Sequence, residues 1–264
     1  MRLEGKIGAV IGAGQTPGPG IGNGRATALL LAREGAKLML VDNRLESARD
    51  TQRMIEEEGG TAFCLQADIT EEEACREIAA ACVKQYGRID LLHNNVGIGG
   101  GDAGPTHLEE ASWDRIFDVN LKGCFLTCKH VLPVMREQGG GSIVNISSVA
   151  AVCSVGIVAY KTSKAGMNAF THSLALGNAR HGIRVNAIMP GLMDTPMAIQ
   201  GISTARGVDP AALSRARDAQ VPLGQKMGTA WDVAHASVFL HSDEASFITG
   251  ALLPVDGGQS ARIG

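Results

Sequence analysis

The chain has 264 residues, 45% of them hydrophobic, which is enough for one large core and short for two. A formal charge of -3 at pH 7, with no Lys/Arg-rich tract, excludes a basic field for a nucleic-acid backbone and points to small metabolites as partners. No run approaches the roughly 18 to 20 apolar residues that cross a bilayer, and the N-terminal "MRLEGKIGAVIGAG" enters a strand without signal-peptide design, so a cytoplasmic location is expected.

In chain order, short apolar runs alternate with helical patterns. "KIGAVIG" is followed by "GRATALLLAREG", "KLMLVD" by "RLESARDTQRMIEEEG", "TAFCLQAD" by "EEACREIAAACVKQYG", and "IDLLHNNVG" by a long helical segment. The alternation continues with "GSIVNISS", a helix over about residues 160–180, "IRVNAIMPG", a helix near residues 232–241, and "GALLPVDGG". Strands and helices taking turns predict a parallel sheet covered on both faces. The expected fold is α/β: a Rossmann-type doubly wound parallel sheet of about seven strands, in a single dinucleotide-binding domain over residues 1–264.

Two regions, residues 97–110 and 192–224, fit no periodic template. Both follow strands and so leave the carboxyl edge of the sheet, where open α/β folds bind ligands. The second is expected to be a substrate lid, since long loops in compact domains are usually functional or mobile. Its Arg206, Arg215 and Arg217 either meet a carboxylate substrate or are solvated charges. Met189, Met193, Met197 and Ile199 either wall an apolar pocket or belong to the core.

The stretch "IGAGQTPGPGIGNGRATALLLAREGA" raises the question of which glycines meet a phosphate, because glycine serves any tight turn. Asp42 supplies the register. It ends the second strand, where its carboxylate would accept hydrogen bonds from both adenosine ribose hydroxyls and repel a 2′-phosphate, favouring NAD over NADP. Counting back from Asp42 starts the intervening helix at Gly24, eighteen residues earlier. Gly22, Asn23 and Gly24 are then where backbone N–H groups and the helix macrodipole meet a pyrophosphate, and Gly12 closes the first strand. The surplus "QTPGPG" is expected to bulge beside the adenosine half of the cofactor, with Gln15 or Thr16 adding a polar contact, or to stand free as an exposed insertion.

The six cysteines form no CxxC pair and none is flanked by His at metal spacing, so reduced, packed thiols and no metal site are expected. His93, His130 and His172 are read as satisfied or surface residues. The sequon at Asn145 falls on a strand expected to be buried, which argues against glycosylation.

The segment "AYKTSKAG" sets Tyr160 and Lys164 four apart on one helical face, after a strand ending in "NISS". Further motifs are "NNVG" at residues 94–97, "DVN" ending at Asn120, "MPG" at 189–191 with Thr195 after it, and "VDGG" near the C-terminus. In this order and spacing the chain resembles the short-chain dehydrogenase/reductase family over about residues 3–258. The resemblance implies an NAD-dependent alcohol dehydrogenase or ketone reductase. Tyr160 would be the general acid/base, Lys164 would lower the phenol's pKa and hold the nicotinamide ribose, Asn120 would relay protons through a water, and Ser148 would hold the substrate oxygen. Hydride transfer at a carbinol carbon must be matched by proton transfer at its oxygen, and a phenol with a pKa of about 10 is a poor base at neutral pH without help.

Ser147 is the alternative serine, because the family spacing to the tyrosine is thirteen residues and Ser148 stands twelve away. Strand alternation favours Ser148, since a following loop loses a residue more readily than a strand changes face. By the same resemblance Asp68 and Ile69 lie beside adenine, Asn94 and Gly97 line the cofactor groove, and Pro190, Gly191 and Thr195 reach the nicotinamide end. Val96 stands where the family more often has alanine. Nine residues, 13–21, separate Gly12 from Gly22 where the family usually has three, so six are extra. A homotetramer built on the Tyr160 helix and the long helix before it is also implied.

Two other readings share these motifs. An enoyl-thioester reductase on the same fold suits the lengthened glycine loop, but such relatives usually have six residues between the tyrosine and the lysine, against three here. A nucleotide-sensing protein without turnover would have no need of the complete set Asn120, Ser148, Tyr160 and Lys164.

Overall fold

The first apolar runs become β1 (Ile7–Ile11), β2 (Lys37–Asp42), β3 (Thr61–Gln66) and β4 (Leu91–Asn94), with α1 (Asn23–Arg33), α2 (Leu45–Glu57) and α3 (Glu72–Tyr86) between them. After β4 come α4 (Glu110–Phe117), a π-turn at Asp118–Lys122, α5 (Gly123–Gln138), β5 (Gly141–Ile146), α6 (Ala159–Asn178) and β6 (Ile183–Pro190). The remainder holds β7 (Met193–Asp194), a second π-turn at Met197–Gly201, α7 (Ile202–Arg206), α8 (Pro210–Asp218), β8 (Gly228–Thr229), α9 (Ala230–His241) and β9 (Leu252–Val255). The structure, a computed structural model, describes residues 1–153 and 156–262.

Seven strands form one sheet in the order β3-β2-β1-β4-β5-β6-β9, every neighbouring pair parallel. Both faces are covered, which is why β1 is buried along its whole length and β2 from Leu38 to Val41, and why these strands read as unbroken apolar runs. On one face α1 meets α9 through Ala26, Ala230 and Ala234, small side chains that let the helices approach closely. On the other, α3 and α5 bury Cys75, Ile78, Cys82, Cys128, Val131 and Met135 against the sheet. Each fully buried Leu or Ile contributes about 1.5 to 3 kcal/mol, so the packing of both faces is the main source of stability.

The chain winds from β1 outward to β3, then returns to place β4 on the other side of β1. This reversal opens a crevice above the carboxyl ends of β1 and β4, into which the loops after β1, β4, β5 and β6 project. The segment 192–224, expected as irregular, contains two short helices. Asp209 caps α8 by accepting from the Ala212 N–H at 2.9 Å, Pro210 opens it, and Gly207 in the left-handed region ends α7. Helices of 5 and 9 residues show too few turns for a hydrophobic period to stand out. Among the described residues no helix is long and apolar enough to cross a membrane.

Candidate active site

Gly12 leaves β1 with φ at +82°, and α1 starts at Asn23 with Gly22 as its N-cap. A Cβ on Gly24 would lie 1.9 Å from the Gly12 carbonyl oxygen and 2.5 Å from the Asn95 amide, so the first turn of α1 is pressed onto the strand exit. No acidic side chain stands in that turn, and no side chain of the N-cap satisfies it. The Asn23 side-chain oxygen is buried without a partner among the described residues. A positive helix end, flanked by glycine backbone, fits a pyrophosphate.

Asp42 stands at the carboxyl end of β2 as expected. Its Oδ2 accepts from the Gly14 N–H at 2.9 Å and its Oδ1 from the Arg44 N–H at 3.0 Å, which draws the start of the glycine loop over the carboxylate. Ser47 accepts from the Gln15 N–H at 2.9 Å, and the Arg44 guanidinium donates to the Gln15 carbonyl. Arg25 is held on α2, donating to Thr51 Oγ1 at 2.9 Å and to the Ser47 carbonyl at 3.1 Å.

The sequence reading gives Gln15 or Thr16 a polar contact with the cofactor; in the structure the Gln15 side chain is engaged within its own loop. Its Oε1 accepts from the Gly22 N–H at 3.0 Å and its Nε2 donates to the Gly20 carbonyl at 3.3 Å, closing the loop on itself. The cause is geometric: six extra residues between pinned ends fold back, and their backbone groups take the nearest amide. Thr16 is half-buried. The loop also reaches beyond Asp42 and Ser47, because Gly18 lies against Pro196 and Gln200, with a Cβ there 3.1 Å from Gln200 Cβ.

The loops after β4 and β5 and the start of α6 converge on the catalytic candidates. Lys164 is buried, and its Nζ donates to the Ile146 carbonyl at 2.7 Å and stands 5.8 Å from the centroid of the Tyr160 ring. Asn120 sits in the first π-turn, a distortion that recurs at functional sites, and clasps Ile98 by accepting from its N–H at 2.8 Å and donating to its carbonyl at 2.9 Å. Its amide also donates to Ser163 Oγ at 3.1 Å. A Cβ on Gly97 would come 3.0 Å from Lys164 Nζ, so this glycine leaves room for the ammonium.

The two serines separate cleanly. Ser147 is buried and donates to the Lys164 carbonyl at 3.1 Å, facing the α6 backbone, whereas Ser148 accepts from the Ala150 N–H at 3.1 Å and lies on the Tyr160 side, where it lowers the phenol's pKa. Burial raises the Tyr160 pKa above its ordinary value, and the Ser148 contact pulls it back. Burial also lowers Lys164 to about 8. In the protein alone, desolvation disfavours phenolate and ammonium alike.

Several cofactor candidates take other surroundings. The Asn94 side chain faces away from the crevice, donating to Asn145 Oδ1 at 2.9 Å and accepting from Thr127 Oγ1 at 2.9 Å in a buried network. Strand alternation turns Asn94 inward and gives the crevice to Asn95, which donates to the Gly12 carbonyl at 3.1 Å and was not singled out from the sequence. Ile69 is buried against Gly123 of α5, while Asp68 is exposed and folds onto Thr70. Pro190 ends β6, and Gly191 donates to the Val255 carbonyl at 3.0 Å so closely packed that a Cβ would lie 2.3 Å from Gln259 Oε1. Thr195 is buried and accepts from the Ala198 N–H through its hydroxyl at 3.3 Å. Met189 and Met193 are core, whereas Met197 is exposed.

A family model described as enoyl-(acyl carrier protein) reductase matches residues 19–260. The chain is 39% identical, over 98% of its length and 99% of the relative's, to the 3-oxoacyl-[acyl-carrier-protein] reductase FabG of Thermotoga maritima. A crystal structure from Burkholderia xenovorans described as a short-chain dehydrogenase/reductase superposes with a TM-score of 0.94 at 42% identity, over 100% of this chain and 99% of that one. The structure of an NAD+-bound xylitol dehydrogenase superposes with a TM-score of 0.89 at 34% identity, over 98% of this chain and 100% of that one. The chain belongs to the short-chain dehydrogenase/reductase family of oxidoreductases.

Proposed function

We propose that the protein is an NAD-dependent oxidoreductase that interconverts a secondary alcohol and a ketone. The observation that carries this reading is the buried Lys164 ammonium 5.8 Å from the Tyr160 ring, one turn along the same helix, with Asn120 clasping Ile98 in the loop after β4. When bound, the nicotinamide supplies the hydride acceptor or donor. Ser148 holds the substrate oxygen, and Tyr160 takes its proton in the alcohol-to-ketone direction or returns it in the other. Lys164 holds the nicotinamide ribose, and Asn120, fixed by Ile98, passes protons between Lys164 and solvent through water. Asp42 meets the adenosine ribose, and its charge disfavours a 2′-phosphate. Residues 192–224 cover the substrate.

The relatives named as an oxoacyl reductase and a xylitol dehydrogenase support carbonyl and carbinol chemistry, and the latter's bound NAD+ supports the cofactor. The description of the matching family model favours a second reading, reduction of an enoyl thioester. The three-residue gap between Tyr160 and Lys164 argues for the first. A panel of cyclic, steroidal, sugar and hydroxyacyl alcohols with NAD+, followed by the absorbance of the reduced cofactor, tests the proposal. Turnover of a 2-enoyl thioester with no alcohol oxidised would establish the alternative.

A further inference from the structure

The helix that carries Tyr160 and Lys164 begins without a cap of its own. Val158 occupies the N-cap and offers no acceptor, the first turn has no acidic side chain, and the first intrahelical bond runs from the Thr162 N–H to the Val158 carbonyl. A helix leaves the N–H groups of its first turn unsatisfied unless something else accepts from them. Here the acceptor is Asp102, in the loop between β4 and α4. Its Oδ2 accepts from the Tyr160 N–H at 2.7 Å, and its Oδ1 accepts from Ala159 at 3.1 Å and Val158 at 3.2 Å. A fourth N–H, that of Ala103, reaches Oδ1 at 2.8 Å and fixes the carboxylate's orientation.

Charge-assisted bonds of this kind are the stronger class, and an anion at a helix N-terminus is additionally favoured by the macrodipole. The same turn touches the tyrosine side chain. The Asp102 N–H donates to the Gly99 carbonyl at 3.3 Å, and Gly99 lies against the Tyr160 ring, where a Cβ would be 3.4 Å from Cδ2. Gly101, at φ +85°, closes the turn where a Cβ would stand 2.7 Å from Ser112 Oγ. One short turn therefore holds both the backbone nitrogen of Tyr160 and a face of its ring.

We infer that Asp102 is a positioning residue, fixing the Tyr160 backbone and through it the distance from phenol to Ser148. The inference rests on the reading of Tyr160 as the acid/base. Proton transfer is sensitive to sub-ångström geometry, and a misplacement of about 1 Å costs on the order of 10²-fold in rate. The test uses purified Asp102→Ala, Asp102→Asn and Asp102→Glu with whichever alcohol the panel identifies. Asp102→Ala should lower kcat about 10- to 100-fold with KM for NAD within about twofold of wild type. Asn is as good an N-cap as Asp and keeps an acceptor oxygen, so Asp102→Asn should return kcat to within about threefold.

Amide hydrogen exchange at Ala159 and Tyr160 should quicken in Asp102→Ala and not in Asp102→Asn. Should the alanine variant fail to fold, Asp102→Glu answers the question. It keeps the charge but moves the carboxylate by one methylene, so kcat should still fall several-fold. Wild-type kcat in Asp102→Ala or Asp102→Glu overturns the inference, as does unchanged exchange at both amides in Asp102→Ala. Tyr160→Phe, measured alongside, separates the two claims: an active Tyr160→Phe sinks the acid/base reading itself, whereas an inactive one beside a fully active Asp102→Ala sinks only the role of Asp102.

Discussion

Gly24 and Gly12 touch so closely that a Cβ on the first would lie 1.9 Å from the carbonyl oxygen of the second. That carbonyl also accepts from Asn95, so the strand exit, the first turn of α1 and the loop after β4 meet at one point. Alanine is intrinsically the better helix former by about 1 kcal/mol, so helix propensity alone predicts that Gly24→Ala stabilises. The contact predicts the opposite: overpacking against a backbone oxygen costs about 1 to 3 kcal/mol and displaces the N–H groups proposed to meet the pyrophosphate. Thermal melts with and without NAD should show a lower Tm and a smaller shift on adding NAD. A Tm at or above wild type would remove the close approach from the argument.

Much of this architecture was legible in the sequence because periodicity is a local signal. Strands covered on both faces read as apolar runs, as β1 does along its whole length and β2 from Leu38 to Val41. Asp42 was readable from its position at a strand end. What stayed hidden was set by contacts between distant residues. Asn94 and Asn95 are adjacent and chemically identical, and only the strand's face decides which one enters the crevice. The cap on α6 comes from a residue 56 positions before Val158, and its trace in the sequence is only an absence: no Ser, Thr, Asp or Asn where the helix starts. The internal partner of Gln15, the Gly22 N–H, was not legible because it becomes available only once the loop folds back.

Tyr160→Phe should remove nearly all turnover while leaving NAD affinity nearly intact. The phenol oxygen is the only group of Tyr160 that this change deletes, and general acid/base catalysis is worth about 10² to 10⁴ in rate. Steady-state kinetics beside a binding titration make the comparison. A variant that keeps more than about a tenth of wild-type kcat contradicts the assignment, since even the lower end of that range exceeds a tenfold loss.

Asp42→Ser should relax the choice of cofactor. The carboxylate would face the extra phosphate of NADP in a partly desolvated groove, where like charges repel strongly. Arg25, committed to α2, and Arg44, committed to the Gln15 carbonyl, are not positioned to offset it. The expected result is a rise on the order of tenfold or more in the NADP to NAD ratio of kcat/KM. NAD affinity should fall too, because the carboxylate also holds the Gly14 and Arg44 N–H groups. Equal use of both cofactors by the wild type would mean that an arginine overrides Asp42.

His93 and His241 make the fold acid-sensitive. Neither ring nitrogen of His93 meets a partner among the described residues, contrary to the expectation of a satisfied or exposed histidine, and burial pushes its pKa down to about 3. His241, with its ring 5.7 Å from that of His93, is held well below the usual range by burial, by His93 and by Arg184. A folded pKa below the unfolded value of about 6.5 means that the unfolded chain binds more protons between the two. Stability is therefore full above about pH 6.5 and falls as the pH drops toward 3, by up to about 1.4 kcal/mol per pH unit for each histidine. Melts across this range should show the decline, and His93→Phe should flatten it. An unchanged slope in that variant would place the acid lability elsewhere.

The extra residues 15–20 begin beside Asp42 and Ser47, double back through the Gln15 amide, and at Gly18 touch Pro196 and Gln200 in the segment after Thr195. The loop thus spans the mouth of the crevice from the adenosine side to the proposed lid. A bulge confined to the adenosine side would not make that contact. Deleting residues 15–20 restores a three-residue gap between Gly12 and Gly22 and leaves Gly24 on Gly12, so the fold should survive. Losing the strap should weaken NAD by about one hydrogen bond's worth, 0.5 to 1.5 kcal/mol, or roughly 2- to 12-fold in Kd. The change should lie mostly in a faster dissociation rate, since affinity differences within one site are carried mainly there. Stopped-flow displacement of NADH measures it directly. Unchanged affinity and dissociation would make the insertion an ornament of the surface. Complete loss of NAD binding in a folded deletion variant would instead assign the phosphates to Gly14, Gly18 or Gly20, and with them the register counted back from Asp42 would fall.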